Sequence, residues 1–74
     1  MNDAIYVFNG KDITMNVCIQ IRAVIDVLKE RLDMDFVEAV DRFYNSETYD
    51  ILHNVENGLW AESPEYIADR FMEE

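Results

Sequence analysis

Residues 13–33, "ITMNVCIQIRAVIDVLKERLD", decide the fold, because two readings compete over them. Ile13, Met15, Val17, Ile19 and Ile21 alternate with polar or small neighbours, which is the period of a half-buried strand. The apolar set then runs on through Ala23, Val24, Ile25, Val27, Leu28 and Leu32, too long for one strand. A helix takes in the whole run. Asp12 is placed to serve as its N-cap. Lys29 and Arg31 fall in the last turns, where the negative end of the helix dipole favours cations. The stretch therefore predicts a helix over 13–33, apolar around most of its circumference. Its polar side is narrow: Arg22, Asp26, Lys29, Glu30 and Asp33. A helix of that kind is either the centre of a bundle or an oligomer interface.

Local signals divide the rest of the chain. Asp35 followed by Glu38 resembles a capping box, and Phe36, Val40, Phe43 and Tyr44 then follow helical spacing, predicting a helix over 36–45. Asn45 and Ser46 end it, and Ser46 caps a third helix over 47–55 with Tyr49, Leu52 and Val55 inward. Asn57-Gly58 breaks that helix. Ser63-Pro64-Glu65 supplies an N-cap, a residue with no N–H to lose and an acid facing the positive dipole end. These predict a last helix over 64–73, with Ile67 and Phe71 inward. Ahead of residue 13, "AIYVF" at 4–8 is β-favouring and is followed by the turn signal Asn9-Gly10. The expectation is an all-α bundle of about four helices with a short N-terminal strand at 4–8.

Seventy-four residues form one domain over 1–74, in which 1–11 reads as an extended segment. Half the residues are apolar, far too many for a disordered acidic tail. Sixteen acids against six bases give a formal charge of −10, which repels nucleic acid and anionic membranes and favours a basic partner. Solubility alone also accounts for such a charge. A single Cys excludes an internal disulfide and fits a reducing cytoplasm. The five-residue apolar run at the N-terminus is too short for a signal peptide, and no window approaches the ~20 apolar residues of a membrane span.

The chain is poor in catalytic signals. His53 is the only His and Cys18 the only Cys, on different predicted helices, so no metal site is expected. Cys18 lies among Val17, Ile19 and Ile21, the setting of a buried, unreactive thiol. His53 near Asp50 and Glu56 reads as a partly exposed helix residue. The two glycines are too far apart for a phosphate loop, and no cofactor is implied. The six bases are scattered among the acids, which rejects a nucleic-acid face.

What remains is interaction. Glu62, Glu65, Asp69 and Glu73 recur at helical spacing and form an acidic stripe. A second cluster, Asp26, Glu30, Asp33, Asp35, Glu38 and Asp41, surrounds the first helix junction. Such stripes dock on basic grooves. Beside the first stripe, Trp60 and Leu59 read as core plugs between a helix stop and a helix start. If exposed, Trp60 would anchor a partner, as Trp does at interfaces.

Over residues 42–71 the chain resembles an uncharacterised family of short acidic bacterial proteins. The resemblance rests on "RFYNSETYDIL", a spacer, and "LWAESPEYI", which follow the pattern S-x-T-x-x-x-L … L-[WY]-x-x-S-P-x-Y-[IV]. Here those positions are Ser46, Thr48, Leu52, Leu59, Trp60, Ser63, Pro64, Tyr66 and Ile67. Members are often encoded beside predicted toxins with an ADP-ribosyltransferase-like domain. The resemblance thus implies a partner-binding, antitoxin-like or accessory protein and transfers no catalytic residue. It covers about thirty residues, and "MNDAIYVFNG" departs from the family, whose members usually start near the first helix.

The leading expectation is a protein–protein interaction module for a basic partner, touching it through Trp60, Glu62, Glu65, Asp69 and Glu73. Two other classes stand beside it: a homodimeric helical protein joined through the first helix, and a DNA-mimic inhibitor from a mobile element.

Overall fold

The computed structural model describes residues 6–74, so the Ala4 and Ile5 part of the strand expectation lies outside it. Val7–Phe8 (β1) pairs antiparallel with Lys11–Asp12 (β2), with Val7 opposite Asp12 and Phe8 opposite Lys11. The two residues between them are Asn9 and Gly10, both at positive φ (53° and 77°). That is the backbone a two-residue hairpin needs, and the reason for Asn-Gly there. The hairpin is tied to the next element by two bonds: Tyr6 N–H donates to Thr14 Oγ1 and Ile13 N–H to the Tyr6 carbonyl, both at 2.8 Å.

Four α-helices follow: α1 (Thr14–Leu32), α2 (Phe36–Tyr44), α3 (Glu47–Leu52) and α4 (Pro64–Met72). The all-α bundle is thus present, with a two-stranded hairpin added at its start. The competition over 13–33 goes to the helix. Ile13, not Asp12, occupies its N-cap position, and Ile13 has no oxygen to cap with. The Asp12 carboxylate instead accepts from Thr14 N–H at 2.9 Å, and the Thr14 hydrogen bonds hold its pKa below the usual value.

Three caps are where the local chemistry puts them. Asp35, Ser46 and Ser63 each accept a backbone N–H from three residues on, that of Glu38, Tyr49 and Tyr66. Pro64 sits in the first turn of α4. α3 is shorter than expected, ending at Leu52 rather than 55. Beyond it the chain tightens into two 3-10 turns, Val55–Asn57 and Leu59–Ala61, with Gly58 at φ 79° between them. Asn57 makes this possible: its amide donates to the Ile51 carbonyl at 2.7 Å and its side-chain oxygen accepts from Leu59 N–H at 2.9 Å. Gly58 therefore stops the first 3-10 turn, not α3. Val55 is still buried, because the tighter winding turns it inward.

The core is built around α1. Its inward stripe of Val17, Ile21, Val24, Ile25 and Leu28 meets Ala39 and Phe43 of α2, Leu52 of α3, and Ile67 and Ala68 of α4, with Val55 and Leu59 closing one end. Burying each such aliphatic side chain is worth roughly 1.5–3 kcal/mol. Phe43 is fully buried, and its ring lies 5.7 Å from that of Tyr49 and 6.0 Å from that of Phe71.

Two expectations about faces are corrected. In α2, Phe36 and Tyr44 do not point into the core; Ala39 and Phe43 do, with Val40 half-buried. Phe36 lies under the cations Arg22 and Lys29, 5.3 and 5.7 Å from its ring centre, while Tyr44 stacks on Tyr49 at 4.5 Å. Cys18 is exposed, not buried. So few elements cannot surround a nineteen-residue helix, and Met15, Cys18 and Ile19 are left facing outward. No helix among the described residues is long and apolar enough to cross a membrane.

Candidate functional site

The α3–α4 end of the molecule gathers the residues that stood out in the sequence. Its floor is set by the 3-10 turns. Leu59 is buried, and Trp60 is half-buried with its indole N–H donating to the Val55 carbonyl at 3.0 Å. The Phe8 ring meets Trp60 edge-on at 5.7 Å. Gln20, reaching over from α1, donates to the carbonyls of both Trp60 and Glu62. Trp60 is therefore committed inward, between the hairpin and the core.

The other face of this end is carboxylate-rich. Glu47, Glu73 and Glu74 rim a hollow of about 250 Å³ floored by Ile51. A second hollow, of about 200 Å³, is bounded by Asn57, Leu59, Glu62 and Tyr66. Ile51 and Arg70 belong to both, so the two form one groove between α3 and α4. Arg70 is the only cation lining it, and its Nε is buried with no acceptor among the protein atoms.

Glu74 closes one end of the groove. Its carboxylate accepts from Glu47 N–H at 3.1 Å, from Thr48 N–H at 2.7 Å and from the Thr48 hydroxyl. Burial pulls this carboxyl's pKa upward, but the bonds from Thr48 and Glu47 outweigh it and hold it below the ordinary value. At the start of α3, a carboxylate from twenty-six residues away thus satisfies N–H groups that have no partner within the helix.

Of the predicted contact residues, Glu62, Glu65, Asp69 and Glu73 are all exposed, yet they do not act as one stripe. Glu62 and Glu73 face the α3–α4 groove. Asp69 turns the other way and pairs with Arg31 of α1 at 2.5 Å, while Glu65 lines neither hollow. The second acidic cluster is also exposed. Within it Asp26 pairs with Arg22 at 3.3 Å and Glu38 with Arg42 at 4.0 Å, while Asp35 is engaged as a helix cap.

Tyr66 and Arg70, with Ile51 and Glu74, are groove residues that sequence reasoning passed over. In the sequence Tyr66 stands as a position of the resemblance pattern and Arg70 as one scattered base; the approach of α3 to α4 brings both to one groove. His53 is exposed and tilts against the Tyr49 ring at 5.4 Å, away from both hollows. Burial, and then the nearby hydroxyls of Tyr6 and Tyr44, push the Tyr49 phenol up.

In comparisons with protein-family models, curated proteins and solved structures, nothing matches this chain. Ser46 and Ser63 are caps, Thr48 holds Glu74, Pro64 opens α4, and Leu52, Leu59 and Ile67 are buried. Trp60 is hydrogen-bonded inward. Tyr66 and the cap Ser63 are the exposed positions of the 46–67 pattern, and Tyr66, 45% exposed, is the one without a structural hydrogen bond from its side chain.

Proposed function

We propose that this protein is a small acidic interaction module that docks on a basic protein partner through the α3–α4 end. One observation carries the reading. Every acidic side chain from Asp12 to Glu74 is exposed, and only Asp26, Glu38 and Asp69 sit in ion pairs among the described residues. Most of the charge is therefore uncommitted, and at the groove it surrounds apolar Ile51, Leu59 and the open ring of Tyr66. Carboxylates at a rim steer and select a cationic partner, and an aromatic beside them supplies contact area. The resemblance over residues 42–71 adds an antitoxin-like or accessory role to the proposal.

Capture experiments on the tagged full chain test it. A specific basic protein should be retained at low salt and lost steeply as salt rises, because exposed charges are screened beyond about 10 Å at 0.1 M. Glu62→Lys with Glu73→Lys should abolish retention, and Tyr66→Ala should weaken it with little change in the salt dependence. Recovery of no basic protein at low salt would sink the proposal.

A further inference from the structure

We propose that a second copy of this chain docks on the outward face of α1, giving a weak, reversible antiparallel dimer centred on Cys18 and Ile19. Met15 and Ile19 are 69% and 62% exposed and one helical turn apart, with exposed Cys18 beside them. The face continues through Arg22 to Phe36, whose ring lies 5.3 Å from the Arg22 guanidinium carbon.

Charge selects the occupant. Residues 13–25 contain no acid, in a chain that carries sixteen. The first acid beyond them on this face, Asp26, is already paired with Arg22. Two chains of charge −10 can therefore meet over these turns without bringing carboxylates face to face. An antiparallel pairing about Cys18 and Ile19 also sets the two helix dipoles in opposed directions. A basic partner has no unpaired carboxylate to meet over these turns. The contact is only a few helical turns long, well short of the ~800 Å² per partner of a stable dimer, hence its weakness.

Sedimentation equilibrium of the full chain across a concentration series tests this. The mass should rise toward a dimer, and association should tighten as ionic strength goes from about 0.1 M to about 1 M, where the screening length falls from about 10 Å to about 3 Å. Binding of a basic partner would respond in the opposite direction. Ile19→Glu places a carboxylate beside its own copy at the dyad without touching the core and should weaken the dimer about tenfold or more, since like charges meet there. Met15→Glu removes an apolar contact but faces the copy's Arg22, so it should weaken the dimer less. Cys18 is the sole Cys, and helices in contact pack 8–10 Å apart. A short bismaleimide should therefore cross-link wild type through Cys18 and fail with Ile19→Glu. If either Glu variant loses its helical circular dichroism, Ile19→Gln replaces it, with cross-linking as the readout. A monomer at every concentration in high salt, or a dimer unchanged by both substitutions, overturns the proposal.

Discussion

Residues 55–67 and the outer face of α1 are opposites. The first region holds the only Trp, the only Pro and one of the two glycines, and these distinctive residues are turned to internal use while Glu62 and Tyr66 beside them stay exposed. Trp60 bonds Val55, Asn57 bonds Ile51, Ser63 and Pro64 start a helix, and Gly58 supplies a left-handed turn. The second region is made of ordinary Met, Cys and Ile, and these stand in the open. Rare residues are spent where the backbone needs special geometry. Surplus apolar side chains are left wherever a small domain runs out of elements to cover them. Distinctiveness in the sequence and availability to a partner are separate properties here.

Substitutions can break or sharpen that contrast. The largest effect is expected in the core both regions share. Phe43→Ala should cost about 3–5 kcal/mol, while Ile19→Ala should stay within about 0.5 kcal/mol. Urea titration of the two variants side by side checks this, and equal midpoints would show that the α1 face is not open. Trp60→Phe should cost about 0.5–1.5 kcal/mol, since the Val55 carbonyl loses the indole N–H and keeps only that of Gly58 while most of the ring packing stays. Thermal melts followed at 222 nm measure it, and a cost near zero would return Trp60 to the list of contact residues. Ser63→Ala should cost about 1 kcal/mol by removing the α4 cap.

The smallest effect concerns Glu74. Its carboxyl is held below the ordinary value of 4.5, so the charged form stabilises the fold above pH 4.5. That contribution disappears as pH falls through the lowered value. Because the group is largely exposed, less than about 1 kcal/mol is at stake. Urea midpoints for wild type and Glu74→Gln should differ at pH 6 and converge at low pH. A constant difference would mean that the contact is not electrostatic.

Much of this architecture was legible because its causes are local. A cap is written within four residues, so Asp35, Ser46 and Ser63-Pro64 could be placed from the chain alone, as could the Asn9-Gly10 turn. The end of α3 was misplaced because Asn57, which holds the tighter turn, acts on a carbonyl six residues back. The open side of α1 was hidden for a different reason. Apolar periodicity counts the residues that prefer burial, but the number of neighbouring elements decides how many are granted it. The acidic stripe is exposed throughout but does not form one face: Arg31, thirty-eight positions earlier, draws Asp69 to the opposite side. Tyr66 and Arg70 became a groove only through the approach of α3.

Gln20 carries a consequence for motion. Its side-chain amide grips the carbonyls of Trp60 and Glu62, joining the middle of the longest helix to a connection without α-helix of its own. Short turns of that kind ordinarily open by themselves and exchange their amide hydrogens quickly. With the grip in place, residues 58–62 open together with the helix that holds them. Their deuterium uptake should therefore track that of α1, and Gln20→Ala should uncouple the two.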